Sequence, residues 1–282
     1  MLHGDPGIGR ALVEHPKVDG IGFVGSADTA EAIVRSAGLK RTLIEASGNG
    51  PQIICADADL DAATAAAVYG TYFAGGQCCV ATERLLVEES VHDEVVERVL
   101  AHAAEVTVGD PRDDAVTMGP LNNSAVLAKV QLHLADARAL GAEVLCGGEP
   151  VSQMPTGLYF LITVIDAVTP EMALFREESF GPVLPITTFT DDDHAIALAN
   201  DSDLGLQASV FTSSLKRAFR YIDRVRAGSI VVNDSTDFWE PHPPFGGASR
   251  TRSGWGRIGG KYTLLDMTDL RTAVIDIHTT AD

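Results

Sequence analysis

The sequence predicts an α/β fold, and three observations lead to that prediction. Segments with the apolar pattern of strands alternate with segments of helical spacing along almost the whole chain. The chain has 282 residues, enough to bury a large core without disulfides or a structural metal. Apolar residues make up 45% of it and charged residues only 21%, a balance that argues against disorder. Helices interleaved with strands in this way indicate a sheet with crossover connections.

The first elements form one strand–helix–strand unit. Residues 18–24 are apolar and end at a Gly-Ser turn, Asp28 is expected to cap an alanine-rich helix, and residues 41–45 form a second strand. Two such units are normally needed to build a dinucleotide cleft. The start of the chain therefore predicts an incomplete Rossmann-like nucleotide-binding portion.

The alternation resumes after a glycine-rich run at residues 47–51, which is expected to be irregular. The predicted helices cover residues 62–73, 95–100, 124–140, 194–200 and 215–225. The predicted strands cover residues 84–87, 143–146, 159–165, 209–212, 229–233 and 272–277. The last of these has alternating apolar residues and is a free edge that needs a partner, which predicts a homo-oligomer.

Charge and composition exclude several classes of function. The formal charge of −18 argues against a nucleic-acid partner, because an acidic surface repels phosphates. No basic and apolar leader begins the chain, and its most apolar stretch, residues 62–74, is too short to span a membrane. The four cysteines and eight histidines lack metal-ligand spacing, so no metal is expected. The cysteine usage predicts a reducing, cytoplasmic location.

A diglycine followed by Gln77, Cys78 and Cys79 is the sharpest chemical feature of the sequence. A thiol on a turn just after a helix can reach a ligand, although two small buried apolar residues would explain the cysteines equally simply. A nucleophilic cysteine requires a thiolate. The nearest cation in sequence is Arg84, so activation is expected to come from elsewhere in the fold, from a carboxylate base or from a cationic cofactor.

Glu45 is the candidate base, because it ends an apolar strand and precedes a loop of small residues. A carboxylate in such a place can have a raised pKa that suits activation of a thiol or a water. The competing interpretation is a solvated glutamate at a strand end. Glu177 and Glu178, just before a Gly-Pro turn, carry the same ambiguity, since such pairs are usually surface charge.

Six motifs follow one another in a recognisable order. They are FVGS at residues 23–26, IEASGNGP at 44–51, FAGGQCC at 73–79, ESFGPV at 178–183, PFGG at 244–247 and SGWGR at 253–257. This series resembles the aldehyde dehydrogenase superfamily over nearly the whole chain. The resemblance implies an incomplete Rossmann-like portion followed by the α/β catalytic domain of that family. Its implied boundaries are a nucleotide-binding remnant at 1–47, a catalytic domain at 48–247, and a return segment with an oligomerisation strand at 248–282.

The resemblance also implies a role for each motif residue. Cys79 would be the nucleophile and Glu45 the general base. The other implied residues are Gly25 and Ser26 against nicotinamide and pyrophosphate, Glu178 on the ribose with Phe180 packing nearby, and Cys78, Phe73 and Phe245 in the aldehyde pocket. The implied cofactor is NAD or NADP, and the implied reaction oxidises an aldehyde to an acid through a cysteine thiohemiacetal and thioester.

Usual family members are almost twice as long as this chain. In the family the front portion holds an oxyanion-stabilising Asn and part of the cofactor cleft, and loss of one oxyanion donor costs roughly 100- to 1,000-fold in rate. The sequence therefore predicts a truncated or split form with weak or no activity alone, to which a separate N-terminal half would be a partner. A non-catalytic remnant that keeps an oligomerisation surface is the main alternative. Cofactor-free acyl transfer by the same Cys and Glu is a third.

Overall fold

The computed structural model describes residues 1–276 and contains two sheets. The smaller sheet has the strand order β1-β2-β10, with β1 and β2 parallel and β10 antiparallel to β2. Its strands are β1 (Gly20–Gly25), β2 (Arg41–Ala46) and β10 (Gly254–Trp255). The chain therefore returns to the small sheet near its C-terminus, and β10 pairs directly with the residue pair Ile44 and Glu45.

The larger sheet has seven strands in the order β5-β6-β7-β4-β3-β8-β9. Neighbouring strands run parallel except β5, which is antiparallel to β6. The strands are β3 (Gly50–Ile54), β4 (Thr82–Glu88), β5 (Glu143–Cys146), β6 (Thr163–Asp166), β7 (Val183–Phe189), β8 (Gln207–Phe211) and β9 (Ser229–Val232). A parallel sheet of this kind requires crossover helices on its faces.

Helices cover both faces of the large sheet. The helices are α1 (Pro6–Glu14), α2 (Ala27–Ala37), α3 (Leu60–Tyr72), α4 (His92–Ala103), α5 (Ser124–Ala139), α6 (Ala173–Arg176), α7 (Asp192–Asn200), α8 (Leu215–Arg224) and α9 (Gly260–Asp266). Along β4, Leu85 and Val87 belong to one apolar cluster with α3 and α4, whereas Leu86 belongs to a second cluster with α5 to α8. None of these helices is both long and apolar enough to cross a bilayer, a finding that applies to residues 1–276.

The predicted α/β class is confirmed, and most predicted elements are present with shifted ends. The run that begins at residue 47 is not wholly irregular, since β3 starts at Gly50 and lies between β4 and β8. Asp28 is not the cap of α2, because the Ser26 side chain accepts the N–H of Thr29 and Asp28 lies in the first turn. The predicted domain boundaries stay a prediction.

The expected C-terminal strand is absent from residues 272–276, and Ile277 lies outside the described residues. A strand needs a hydrogen-bonded neighbour, and within the single chain these residues do not pair with either sheet. The homo-oligomer thus stays a prediction as well.

Candidate active site

The two cysteines lie just beyond the end of α3. A short 3₁₀ turn over Phe73–Gly76 follows the helix, and Ala74 and Gly75 adopt left-handed φ values of 51° and 67°. This turn reverses the chain before Cys78 and Cys79. The side chain of Gln77 holds it, because its amide donates to the Ala74 carbonyl and its oxygen accepts the Asn122 N–H.

Glu45 reaches the same place from the small sheet. It lies near the end of β2 between β1 and β10, and only 2% of its surface is exposed. The loop that follows it touches the cysteine backbone at Gly48, where a Cβ would stand 1.8 Å from the carbonyl oxygen of Cys79. A glycine is needed for this close approach, and the approach joins the glutamate loop to the cysteine turn.

The Cys79 thiol lies close enough to the Cys78 sulfur and the Glu45 carboxylate for both groups to act on its pKa. Hydrogen bonding to Cys78, burial and the charge of Glu45 together raise the pKa of Cys79. The hydrogen bond from Cys79 lowers the pKa of Cys78 to about 7. Burial raises the pKa of Glu45, against the lowering effect of its hydrogen bond with Cys79. Cys78, Cys79 and Glu45 therefore form one group of interacting acids.

One oxygen of Glu45, Oε1, is buried and has no hydrogen-bond partner. Unpaired buried polar atoms are rare in folded proteins, because each one forfeits its hydration. A carboxylate oxygen of this kind can accept a proton or a hydrogen bond from a water or a substrate in the pocket. The arrangement suits general-base chemistry next to a thiol.

Glu178 contacts the glutamate loop, which comprises residues 47–49 between β2 and β3. Its carboxylate accepts the Ser47 hydroxyl at 2.9 Å and the Gly48 N–H at 2.9 Å. The Ser47 hydroxyl in turn accepts the N–H of Ala27 at the start of α2. Burial raises the pKa of Glu178, so this carboxylate depends on these donors.

A cavity of about 600 Å³ lies against these residues, lined among others by Ser26, Ser47, Glu178 and Lys129. Each oxygen of the Glu178 carboxylate retains a lone pair that can accept a ribose hydroxyl. The N-terminus of α2 and Lys129 contribute the positive charge that a phosphate prefers, in a lining that also contains other basic and acidic side chains. The residues present therefore fit the nicotinamide-ribose side of a dinucleotide. Within residues 1–276 no cluster of His, Cys, Asp and Glu is arranged to hold a metal ion.

The remaining predicted residues divide into two groups. Cys78 and Cys79 pack against a small apolar cluster that contains Phe245, Val80 and Leu206. Phe73 is instead 43% exposed at the end of α3, where its ring contacts Tyr69 with the centroids 5.7 Å apart. The sequence thus brings Phe245 to the thiols but leaves Phe73 on the outer rim.

Glu83 is a part of this region that sequence reasoning missed. Its buried carboxylate accepts the N–H groups of Ser179 and Phe180, both at 2.7 Å, and so holds the loop that carries Glu178. Burial and the neighbouring Glu178 raise the pKa of Glu83 to about 8. The feature of the sequence that could have indicated this role is the adjacent pair of charged residues, Glu83 and Arg84, next to the apolar residues of the same strand.

Arg84, which follows Glu83 on β4, does not face the thiols. Its guanidinium is buried and donates to the carbonyls of Asn49, Leu198 and Ala199, with the Phe175 ring 5.1 Å away. Burial lowers its pKa to about 9. Arg84 therefore joins the glutamate loop to the end of α7, and it does not act as the cation that activates a cysteine.

The aldehyde dehydrogenase family model matches residues 1–273. The chain is 36% identical to 4-trimethylaminobutyraldehyde dehydrogenase B of Danio rerio, over 98% of this chain and 54% of that protein. Its structure resembles an NAD-dependent aldehyde dehydrogenase from Sinorhizobium meliloti with a TM-score of 0.92 and 38% identity, over 97% of this chain and 54% of that one. A glyceraldehyde-3-phosphate dehydrogenase from Methanocaldococcus jannaschii, complexed with NADP, matches with a TM-score of 0.87 and 31% identity, over 93% and 56% of the two chains.

The chain thus spans about half the length of the curated relatives it matches. The family match covers all six motifs and the segments that carry Glu45, Cys79 and Glu178. On this evidence the chain belongs to the aldehyde dehydrogenase family.

Proposed function

We propose that this chain carries the thiol and carboxylate chemistry of an NAD(P)-dependent oxidation of an aldehyde to a carboxylic acid. Cys79 is the nucleophile and Glu45 the general base. The observation that carries the proposal is that the loop after Glu45 lies directly against the Cys79 backbone at Gly48, so that Glu45 and Cys79 are close enough for each to shift the pKa of the other. A buried carboxylate with an unpaired oxygen has little structural value there, since burial without partners costs free energy.

In the first step the Cys79 sulfur bonds to the aldehyde carbon, and the thiol proton passes to Glu45 as the carbonyl oxygen becomes the oxygen of a thiohemiacetal. The hydride that leaves this carbon needs an acceptor, which is the chemistry that bound NAD(P)⁺ supplies, and a thioester on Cys79 remains. Glu45 releases the thiol proton to solvent, and it then accepts a proton from water as the water oxygen attacks the thioester. The products are the acid and a free Cys79 sulfur, ready for the next aldehyde.

Four residues are proposed to hold the cofactor. Glu178 accepts the hydroxyls of the nicotinamide-side ribose, and Phe180 packs beside them. Gly25 and Ser26 lie at the turn into α2, where the helix N-terminus favours the pyrophosphate. The hydrogen bonds from Ser47 and Gly48 to Glu178 support this assignment, because they fix that carboxylate at the cavity wall. The related Sinorhizobium enzyme is NAD-dependent and the Methanocaldococcus one was solved with NADP, so the family admits both.

The aldehyde pocket is proposed to include Cys78, Phe245 and, on its rim, Phe73. The half-length match to the relatives leads us to propose further that the chain turns over slowly by itself, and that a second copy or a separate N-terminal half completes the site. A cytoplasmic location stays a prediction from cysteine usage.

A single-turnover experiment tests the proposal without depending on steady turnover. The purified chain is mixed with benzaldehyde and excess NAD⁺ or NADP⁺, quenched with acid, and digested for mass spectrometry of the peptide that contains Cys79. We expect an acyl adduct on Cys79 with release of an equal amount of reduced nicotinamide. Glu45→Gln should form the adduct more slowly and hydrolyse it at least about 100-fold more slowly, because general-base catalysis is worth roughly 10²–10⁴ in rate.

Cys146→Ala is the matched control, since Cys146 lies on the edge strand β5, which β6 and β7 separate from β4. It should leave both signals unchanged, whereas Cys79→Ala should remove both. An adduct and nicotinamide signal that survive in Cys79→Ala contradict the assignment of the nucleophile. A folded chain whose Cys79 neither acylates nor reacts with a neutral thiol reagent favours the non-catalytic alternative.

A further inference from the structure

Glu178 lies between two residues that both contact the same histidine. The Ser179 hydroxyl is 3.0 Å from Nδ1 of His133, and a carboxylate oxygen of Glu177 is 3.4 Å from Nε2 of the same ring. His133 belongs to α5, and only 2% of its surface is exposed. One buried imidazole therefore contacts the side chains on both sides of the acid that is proposed to hold the ribose.

The surroundings of His133 determine which ring nitrogen carries the proton. An ionised carboxylate only accepts hydrogen bonds, so we assign the ring N–H to Nε2, toward Glu177, and Nδ1 accepts the Ser179 hydroxyl. Burial lowers the pKa of His133, and the charge of Lys129, one turn earlier on α5, lowers it further. Glu177 and Asp136 act in the opposite direction and only partly offset these effects. The site thus favours the neutral imidazole that this pattern of contacts requires.

Apolar packing does not explain a histidine at this place. Its neighbours on the same face of α5, Val130 and Leu134, belong to a large apolar cluster and are 0% and 1% exposed. An apolar side chain of similar size would fill such a place without the cost of burying a polar ring. His133 offsets that cost through its contacts with the Glu178 loop, which comprises residues 177–182 between α6 and β7.

The backbone of the Glu178 loop needs support from its surroundings. Phe180 has a φ of 57°, in the left-handed region that a bulky side chain rarely adopts. A conformation of this kind persists only where neighbouring groups hold it. Glu83 accepts the N–H groups of Ser179 and Phe180 and so fixes the part of the loop that follows Glu178. His133 also contacts the residue before Glu178.

The supported loop places Glu178 at the wall of the large cavity. Its two carboxylate oxygens accept the Ser47 hydroxyl and the Gly48 N–H, both at 2.9 Å. Glu177, Glu178 and Lys129 all line the cavity of about 600 Å³. His133 is buried beneath this surface and acts on the cavity through the loop.

We propose that His133 is a positioning residue for the cofactor, because it holds Glu178 where that carboxylate can accept a ribose hydroxyl. It does so through the two neighbours of Glu178 in the loop. The inference rests on the proposed function, since the ribose belongs to the proposed cofactor. The contact with Ser179 is the shorter one and joins two buried groups, so it is expected to carry most of the effect.

The expected consequence is weaker binding of the nucleotide when this contact is lost. A neutral hydrogen bond is worth roughly a three- to tenfold change in an equilibrium constant. Without the bond between His133 and Ser179, Glu178 loses part of its fixed direction. We therefore expect the dissociation constant of a reduced nicotinamide nucleotide to rise by roughly the same factor.

The amide of Gly48 reports on the position of Glu178 without any cofactor, because it donates to that carboxylate. The sequence has two Ser-Gly pairs, at residues 47–48 and 253–254. A chain with ¹³C-carbonyl serine and ¹⁵N-glycine, made by cell-free synthesis so that the labels do not interconvert, gives two carbonyl-edited amide signals in NMR. They belong to Gly48 and Gly254, and Gly254, on β10, is the internal reference for the folded state.

Glu178→Gln defines the position of the Gly48 amide proton when the carboxylate is lost. His133→Phe should move this signal more than half of the way from the wild-type position toward that endpoint. His133→Asn should keep it near the wild-type position, because the asparagine oxygen can occupy the place of Nδ1 and accept the Ser179 hydroxyl. His133→Gln, whose amide reaches the place of Nε2, should restore less.

The matched control is His102→Phe, the same exchange on α4, which packs in the other apolar cluster. It should leave the Gly48 signal unchanged. A histidine that only stabilises the fold would lower the free energy of unfolding in His133→Phe without moving Gly48 in the folded chain. Gly48 at its wild-type position in folded His133→Phe, or displaced equally in His133→Asn, therefore overturns the proposal.

Ser179→Ala tests the same bond from the other side and covers a His133→Phe variant that fails to fold. It removes the hydroxyl and leaves the imidazole in place, and it should displace the Gly48 signal in the same direction. An unchanged signal in folded Ser179→Ala also overturns the proposal.

Titration with NADH and NADPH, followed by nicotinamide fluorescence, links the position of Glu178 to binding. The dissociation constant should rise roughly three- to tenfold in the variants whose Gly48 signal moves, and it should stay near the wild-type value in His133→Asn. Equal dissociation constants in all variants overturn the proposal. Failure of the proposed function would look different, because the Gly48 signal would still depend on His133 while neither nucleotide binds to any variant.

Discussion

Glu45 and Glu83 are both almost completely buried, at 2% and 3% exposure, but their surroundings differ. Both carboxylate oxygens of Glu83 accept hydrogen bonds from backbone N–H groups, those of Ser179 and Phe180. Glu45 has one oxygen without any partner and the other next to a thiol. The comparison indicates that burial alone does not mark a functional acid. The acid with free hydrogen-bonding capacity is the one available for chemistry, and the satisfied acid holds the framework.

The largest loss of stability is expected when Glu83, the acid whose oxygens both accept hydrogen bonds, is replaced. Glu83→Ala leaves the N–H groups of Ser179 and Phe180 without acceptors, and each unpaired buried group costs about 1–3 kcal/mol. The free energy of unfolding, measured with urea, should fall by about 2–4 kcal/mol, since Phe180 is only partly buried. The control is Glu94→Ala, an exposed partner of Arg98, which should cost under about 1 kcal/mol. Similar values for the two variants would break the comparison.

A smaller loss of stability is expected at Ser47, which connects the loop after Glu45 to Glu178. Ser47 donates to Glu178 and accepts from Ala27, so Ser47→Ala removes a link between the glutamate loop, the Glu178 loop and the start of α2. We expect a loss of about 1–2 kcal/mol in the same urea experiment, because hydrogen bonds to charged groups are worth about 1.5–3 kcal/mol and neutral ones less. The exposed Ser124 is the matched control, and Ser124→Ala should change the free energy by less than about 0.5 kcal/mol. An unchanged stability in Ser47→Ala would mean that the two loops are held together by other contacts.

Much of this arrangement could be predicted from sequence, and the exceptions have physical causes. The alternation of elements and the order of the motifs were enough to predict the fold class and to pair Cys79 with Glu45. The strand β3 was missed because Gly50 and Pro51 have low strand propensity, whereas pairing with β4 and β8 decides the outcome.

The role of Glu83 was invisible to sequence for a related reason. It depends on contacts between residues far apart in the chain, namely the bonds of Glu83 to residues 179 and 180. A charged residue in an apolar strand indicates that a buried partner exists, but only the fold identifies it. Likewise Phe73 carried a pocket assignment from its motif, and this assignment stays a prediction because its ring is 43% exposed after the end of α3.

Replacement of Glu45, the acid with an unpaired oxygen, should give the smallest change in the free energy of unfolding, and this change should be a gain. Burial raises the pKa of Glu45 above the ordinary value of 4.5, so the folded chain holds this proton more tightly than the unfolded chain does. As the pH rises above about 4.5, the unfolded chain releases the proton first, and the wild type loses stability until the folded pKa is passed. Glu45→Gln has no proton to release, so its stability relative to wild type should increase with pH across this window. Urea titrations of both proteins from pH 4 to pH 8 measure the difference, and Glu83 contributes to both proteins because both retain it. A glutamine variant that is less stable than wild type at every pH would show that Glu45 has structural partners after all, and the distinction between the two buried acids would fail.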